Sequence, residues 1–113
     1  MTVVFNQTGS SFTAGVTGTI DGQTFTNPQA SACLVTNTGG NAASVQYSVN
    51  DTDPQYAQWP AEGVPGFGTI VQPGDQQVLV TNATAVENGV SAYATYVCDA
   101  GKTTTLVFNL GAV

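Results

Sequence analysis

Apolar and polar residues alternate with period 2 along most of this chain. Phe12, Ala14, Val16, Gly18 and Ile20 alternate with Thr13, Gly15, Thr17 and Thr19. That spacing sends successive side chains to opposite faces of a strand. The same pattern returns in Val45, Tyr47 and Val49 against Gln46, Ser48 and Asn50, and in Leu106, Phe108 and Leu110 against Val107. No stretch shows helical periodicity. A single helical turn between Asn82 and Gly89 is the most that the pattern allows.

Turn residues punctuate these runs every 8–12 positions, the rhythm of a β-sandwich or small barrel. Asn6 to Ser10 reads as a turn after a short strand, Thr2 to Asn6. Asp21-Gly22 reads as a hairpin turn, with Gln23 to Thr26 pairing back. Ala32 to Asn50 reads as the organising hairpin, reversing at Asn37-Thr38-Gly39-Gly40-Asn41. Gln72-Pro73-Gly74-Asp75 carries the type II turn signature between Thr69–Val71 and the return strand Val78–Thr81. Asp99-Ala100-Gly101-Lys102 joins Ser91–Cys98 to Thr103–Leu110 as a closing hairpin. The expected fold is one all-β domain over residues 1–113, an antiparallel β-sandwich of eight or nine short strands, either immunoglobulin-like or jelly-roll in strand order.

Between these elements lies one long irregular stretch, Asp51 to Gly68. It holds Pro54, Pro60 and Pro65 together with Tyr56, Trp59 and Phe67. Long loops in compact domains often carry function, and Tyr and Trp are favoured interface anchors. Tyr56, Trp59 and Phe67 are therefore the candidate partner-binding residues. The competing reading has the same rings capping the core.

Composition sharpens the picture. The 113 residues are 42% hydrophobic but only 7% charged, far below the ~25% of ordinary domains. The exterior must be built from Thr, Ser, Asn, Gln and Gly. Seven acidic residues against Lys102 alone give a net charge of −6, with no Arg and no His. A phosphate backbone needs several cations to displace its counterions, so nucleic acid is not an expected partner. An anionic membrane is disfavoured for the same reason, and no run is long enough to span a bilayer. The first residues, MTVVFNQTGSSF, contain neither a basic nor an apolar signal region. The chain is expected to be a mature domain given a starting Met, or to be made in a cytoplasm and leave it without the secretory route.

The chemistry of catalysis is missing. Without His there is no Ser–His or Cys–His pair. Asp51 and Asp53 are the closest carboxylates in sequence, and a solvated turn is their expected role ahead of a weak calcium site. Three Asn-x-Thr sequons, at Asn6, Asn50 and Asn82, are what chance produces in an Asn- and Thr-rich chain. Cys33 and Cys98 both fall in predicted strands. Two buried thiols or one disulfide are the alternatives, and two Cys without His cannot build a structural zinc site. No enzyme and no cofactor is expected.

Two resemblances bear on function. Ala94-Thr95-Tyr96-Val97-Cys98 resembles the A-x-Y-x-C stretch of immunoglobulin domains. There the Tyr makes the corner and the Cys bridges the sheets, which would make Cys33 the partner of Cys98. The core Trp of that family follows its first Cys by about a dozen residues, whereas Trp59 comes much later, so the likeness extends to a sandwich and not to membership. From Ala32 onward, Val35-Thr36-Asn37-Thr38-Gly39, then Val45-x-Tyr47-x-Val49, then Ile70-Val71-x-Pro73-Gly74-Asp75 and Leu79-Val80-Thr81 are similar to two groups. One is the immunoglobulin-like modules of secreted adhesion proteins. The other is the small β-sandwich decoration or cement proteins of tailed-bacteriophage capsids. The phage resemblance implies a non-enzymatic structural protein on the virion surface, made in the host cytoplasm, whose partners are the major capsid protein or other virion proteins, and which forms a homo-oligomer such as a trimer. Strand edges near Thr2–Asn6 and Thr103–Leu110 would then add to a neighbour's sheet. The alternative is a module that binds carbohydrate or a cell surface through Tyr56, Trp59 and Phe67.

Overall fold

The structure, a computed structural model, describes residues 6–26, 28–49, 57–60, 66, 68–81 and 89–112, with backbone alone for 6–10 and 49. Eight strands follow one another: β1 (Asn6–Val16), β2 (Asp21–Phe25), β3 (Ala32–Asn37), β4 (Ala43–Val49), β5 (Thr69–Val71), β6 (Gln76–Val80), β7 (Ala92–Cys98) and β8 (Thr104–Ala112). They form two four-stranded sheets, ordered β1-β8-β3-β6 and β2-β7-β4-β5. Every pairing is antiparallel. The sheets pack face to face as an all-β sandwich, and no helix occurs among the described residues. The first strand pairs with the last, and each of β1/β2, β3/β4, β5/β6 and β7/β8 is split between the sheets. This is a jelly-roll order, which decides between the two strand orders that the sequence left open.

The turns expected around 38–41, 72–75 and 99–102 lie between strands, but the hairpins do not form. β3 and β4, the expected organising hairpin, belong to different sheets: β3 pairs with β6 and β8, and β4 with β5 and β7. The closing pair β7 and β8 is split in the same way, as are β5 and β6. The physical reason lies in the connections, which run four or five residues (17–20, 38–42, 72–75 and 99–103). Such a connection spans the ~10 Å between packed sheets as readily as the ~5 Å between paired strands. The turn chemistry itself is kept. The Asp75 N–H donates to the Gln72 carbonyl at 3.0 Å, and Gly74 takes φ 81°, a conformation that suits a residue without a Cβ.

Further expectations change. Asn6 to Ser10 is part of β1 and not a turn. The register shifts there, with four steps from Gln7 to Ser11 set against two from Gly111 to Asn109, so the turn-like residues supply a bulge. Asp21-Gly22 opens β2, which pairs with β7 in the other sheet and not back onto β1. The inward alternation of β1 stops at Val16, leaving Ile20 46% exposed in the crossing. Thr103–Leu110 is no edge either, because β8 lies between β1 and β3. Residues 2–5 and the segment 82–88 lie outside the described residues.

Inward positions fill the core: Ala14 and Val16, Cys33 and Val35, Val45 and Tyr47, Val71, Tyr96, and Leu106, Phe108 and Leu110 are all buried. Four rings form a row that runs from one sheet to the other and back. Phe25 meets Phe12 edge-on at 6.3 Å, Phe12 meets Phe108 at 6.3 Å, and Phe108 meets Tyr96 at 5.6 Å. Ala92 lies directly opposite Phe25 and Ala94 opposite Tyr47 in the ladders, so small residues make room for large ones. The Tyr47 hydroxyl donates to the Ala30 carbonyl at 2.9 Å, which lets a polar ring sit in the core without an unmet donor.

One buried polar residue ties the corners together. Asn37, 0% exposed, ends β3 where the chain leaves for the other sheet. Its Nδ2 donates to the Asn41 carbonyl at 2.8 Å and to the Val71 carbonyl at 3.0 Å. Its Oδ1 accepts from the Gly39 N–H at 3.0 Å and the Thr104 hydroxyl at 2.7 Å. Its backbone N–H donates to the Asp75 carbonyl, and its carbonyl accepts from the Gly74 N–H. Three connections and two sheets thus converge on one residue. Asn37→Ala would strand these partners in a buried corner, and the expected loss is at least about 3 kcal/mol. Urea titration followed by circular dichroism measures it; a loss below about 1 kcal/mol would show that water replaces the amide freely.

Candidate functional site

The two sheets present unlike outer faces. Alternation leaves Thr13, Val107, Thr36 and Gln76 in one row across the first sheet, and Ser11, Asn109, Leu34 and Val78 in the next. These side chains are half-buried or exposed, and none is charged. The eight strands hold a single charged residue, Asp21, at the first position of β2. Asp75, Asp99 and Lys102 lie in the connections at the same end of the sandwich as Asp21. An Asp or Glu in a strand face would need desolvation on contact with a neighbour; these faces avoid that cost.

The outer face of the second sheet is covered. Ser44, Ser48, Thr95 and Val97 point away from the core, yet all are buried. Ala57, from the long β4–β5 connection, sits fully buried there. Its N–H donates to Thr95 Oγ1 at 2.7 Å. Gly68 leads the connection back into β5 with φ 116°, and a Cβ on it would meet Ser44 Oγ at 2.7 Å and the Val45 carbonyl oxygen at 2.8 Å. Gly66 lies against the Pro60 ring, where a side chain would collide. Small residues on both sides, Ser44 and Thr95 below and Ala57 and Gly68 above, let these two points of the connection, a strap anchored at Ala57 and Gly68, approach the sheet closely.

Of the three candidate partner-binding rings, Trp59 is placed: it is half-buried, two residues beyond the Ala57 anchor. Tyr56 and Phe67 lie outside the described residues, as do Asp51 and Asp53. Among the described residues no group of three His, Cys, Asp or Glu is arranged to hold a metal ion. Thr95 and Ala57, which hold the strap, are not among the residues that the sequence marks as candidates. Their only sequence signal is the run of small residues along Ser44, Ser48 and Thr95, which is equally the signal of an ordinary exposed strand face.

Cys33 and Cys98 are free thiols, both buried. Cys33 faces Leu110, while Cys98 Sγ lies 3.9 Å from the carbonyl of Val16, which faces Thr104. Six positions of β8 separate those partners, roughly 20 Å along a strand. A disulfide needs its Cα atoms within about 7 Å, so the bridge implied by the immunoglobulin resemblance is not realised. Burial pushes the Cys33 thiol from 9.0 up to about 12, partly offset by a hydrogen bond from the Asn109 backbone. Burial likewise raises the Cys98 thiol, helped by the Asp99 charge. It raises the Tyr47 phenol too, with the Cys33 charge adding to the shift.

Comparison with protein-family models, with curated proteins and with solved structures finds no match to the chain. The molecule's own geometry offers two buried thiols, a strapped sheet bearing Trp59, and a neutral sheet face whose side chains are half-buried or exposed.

A thiol whose native pKa is raised contributes stability that is complete below pH 9 and is lost as pH climbs from 9 towards 12. The urea midpoint is therefore expected to fall across that window, and Cys33→Ala to flatten the fall; an equally steep fall in the variant would refute the assignment. Thr95→Val keeps the shape but leaves the Ala57 N–H unpaired, at an expected cost of about 1–3 kcal/mol. Trp59 emission should shift to longer wavelength as the strap loosens, and an unchanged spectrum and midpoint would show that Thr95 does not hold it.

Proposed function

We propose that this protein is a non-enzymatic structural component of a bacteriophage virion, a capsid decoration or cement protein or small head spike. It works on the outer surface of the particle, against the major capsid protein or another virion protein. The observation that carries this reading is the distribution of charge. A chain of net charge −6 keeps its strands, among the described residues, neutral but for Asp21 and gives one sheet an outer face of Thr, Ser, Asn, Gln, Val and Leu. Such a face seats against a neighbour without desolvating unpaired ions, each of which costs several kcal/mol. The jelly-roll order supports the reading as fold-level analogy, since viral capsid domains use it; lectins and cupins use it as well.

The partly exposed Trp59 on its strap favours a second reading, a module that stacks carbohydrate on an aromatic ring. Particles of the phage that encodes the chain separate the two. Virions purified from wild-type and gene-deleted phage are compared by gel and by heating. The expected result is the protein in stoichiometric amounts in wild-type virions and earlier DNA release on heating without it. Absence from purified virions would overturn the proposal, and quenching of Trp59 by a soluble glycan would favour the second reading.

A further inference from the structure

The four sheet edges are not alike. β1 is bent by its bulge, β2 opens on Asp21 and Gly22, and β5 has only three residues. Bulges, charges and shortness are the usual guards against unwanted strand pairing. The remaining edge, β6 (Gln76–Val80), has none of them among the described residues: its sequence QQVLV holds no charge, proline or glycine. Val80 at its end is 58% exposed.

The hydrogen bonds of β6 show what this edge offers. The Thr81 N–H donates to the Ser31 carbonyl, and the Asn37 N–H to the Asp75 carbonyl. In an antiparallel ladder such bonded pairs recur at every second residue. The register Cys33↔Leu79 and Val35↔Gln77 belongs to the same set. Odd-numbered residues of β6 therefore bond inward to β3. Gln76, Val78 and Val80 turn their N–H and C=O groups outward, to the open edge.

We infer that this edge pairs with the β6 edge of a second copy of the chain, antiparallel about a twofold axis at Val78. Val78 then faces the Val78 of the other copy, and Gln76 faces its Val80. Each of these facing pairs exchanges two backbone hydrogen bonds. Charge selects the direction. The antiparallel register sets Asp75 opposite Thr81, whereas parallel pairing would stack Asp75 on its own copy. The two neutral outer faces would join into one continuous sheet across the dimer, bringing Val78 and Val80 of each copy together. A second copy fits this edge better than a foreign strand because the edge is its own complement in both hydrogen bonds and side chains. Dimerisation in solution does not depend on the virion reading.

The contact is small, so dissociation is expected in the range of about ten micromolar to one millimolar. Sedimentation equilibrium over that range tests it, together with hydrogen exchange. The expected result is a monomer–dimer equilibrium in which the amides of Gln76, Val78 and Val80 gain protection with concentration, while those of Gln77 and Leu79 are protected throughout. Val78→Lys places like charges directly opposite each other and should weaken the dimer at least about tenfold. Val78→Pro removes only an outward N–H, which an edge tolerates, and should do the same, with Val78→Thr as a pairing-competent control. Thermal melts confirm that the variants fold. A monomer at about one millimolar, a trimer, or a dimer that both folded variants leave intact would each overturn the inference.

Discussion

A single buried amide sets the geometry on which the rest of the molecule depends. Asn37 ends one strand of the first sheet and binds the connection that carries the chain to the second. It also grips Val71, where β5 is about to cross back, and Thr104, where β8 begins. A hydrophobic residue at this position would leave several backbone groups of the corners without partners in a dry site, which costs more than burial of its side chain returns. The jelly-roll crossings at this end are thus held by polar contacts, while the aromatic row from Phe25 to Tyr96 holds the middle.

The consequence of those crossings is an asymmetric object. The second sheet takes described parts of the long connection onto its outer face, with Ala57 seated over Thr95 and Gly68 pressed to Ser44 and Val45. The first sheet keeps a neutral outer face whose side chains are half-buried or exposed, with β6 as its unguarded edge. Among the described residues charge sits almost wholly in the connections, where water solvates it at little cost, and is kept off surfaces that another molecule would have to dry. A chain that only needed solubility would be expected to spread its carboxylates over both sheets.

The buried thiols follow the same separation of polar from apolar. Cys33 and Cys98 act as small apolar fillers at opposite ends of the core, with burial holding them protonated. A cysteine so placed behaves as a hydrophobe and not as a nucleophile.

What the chain determined alone is everything that depends on near neighbours. Period-2 alternation made strands with Phe108, Leu106 and Leu110 inward, Pro73-Gly74 made a turn, and the scarcity of charge made neutral faces. What only the tertiary structure decided is which strand lies beside which. A four- or five-residue connection such as 38–42 can close a hairpin or cross a sandwich, and its residues are the same in either case. Long-range contacts made the choice: β3 found β6 and β8, β4 found β5 and β7, and Asn37 became a hub only because two distant segments, at Val71–Asp75 and at Thr104, arrived beside its own connection. The strap shows the same limit, since Thr95 and Ala57 are separated by 38 positions. Local propensity acts over a few residues, whereas their hydrogen bond exists only once both sheets are in place.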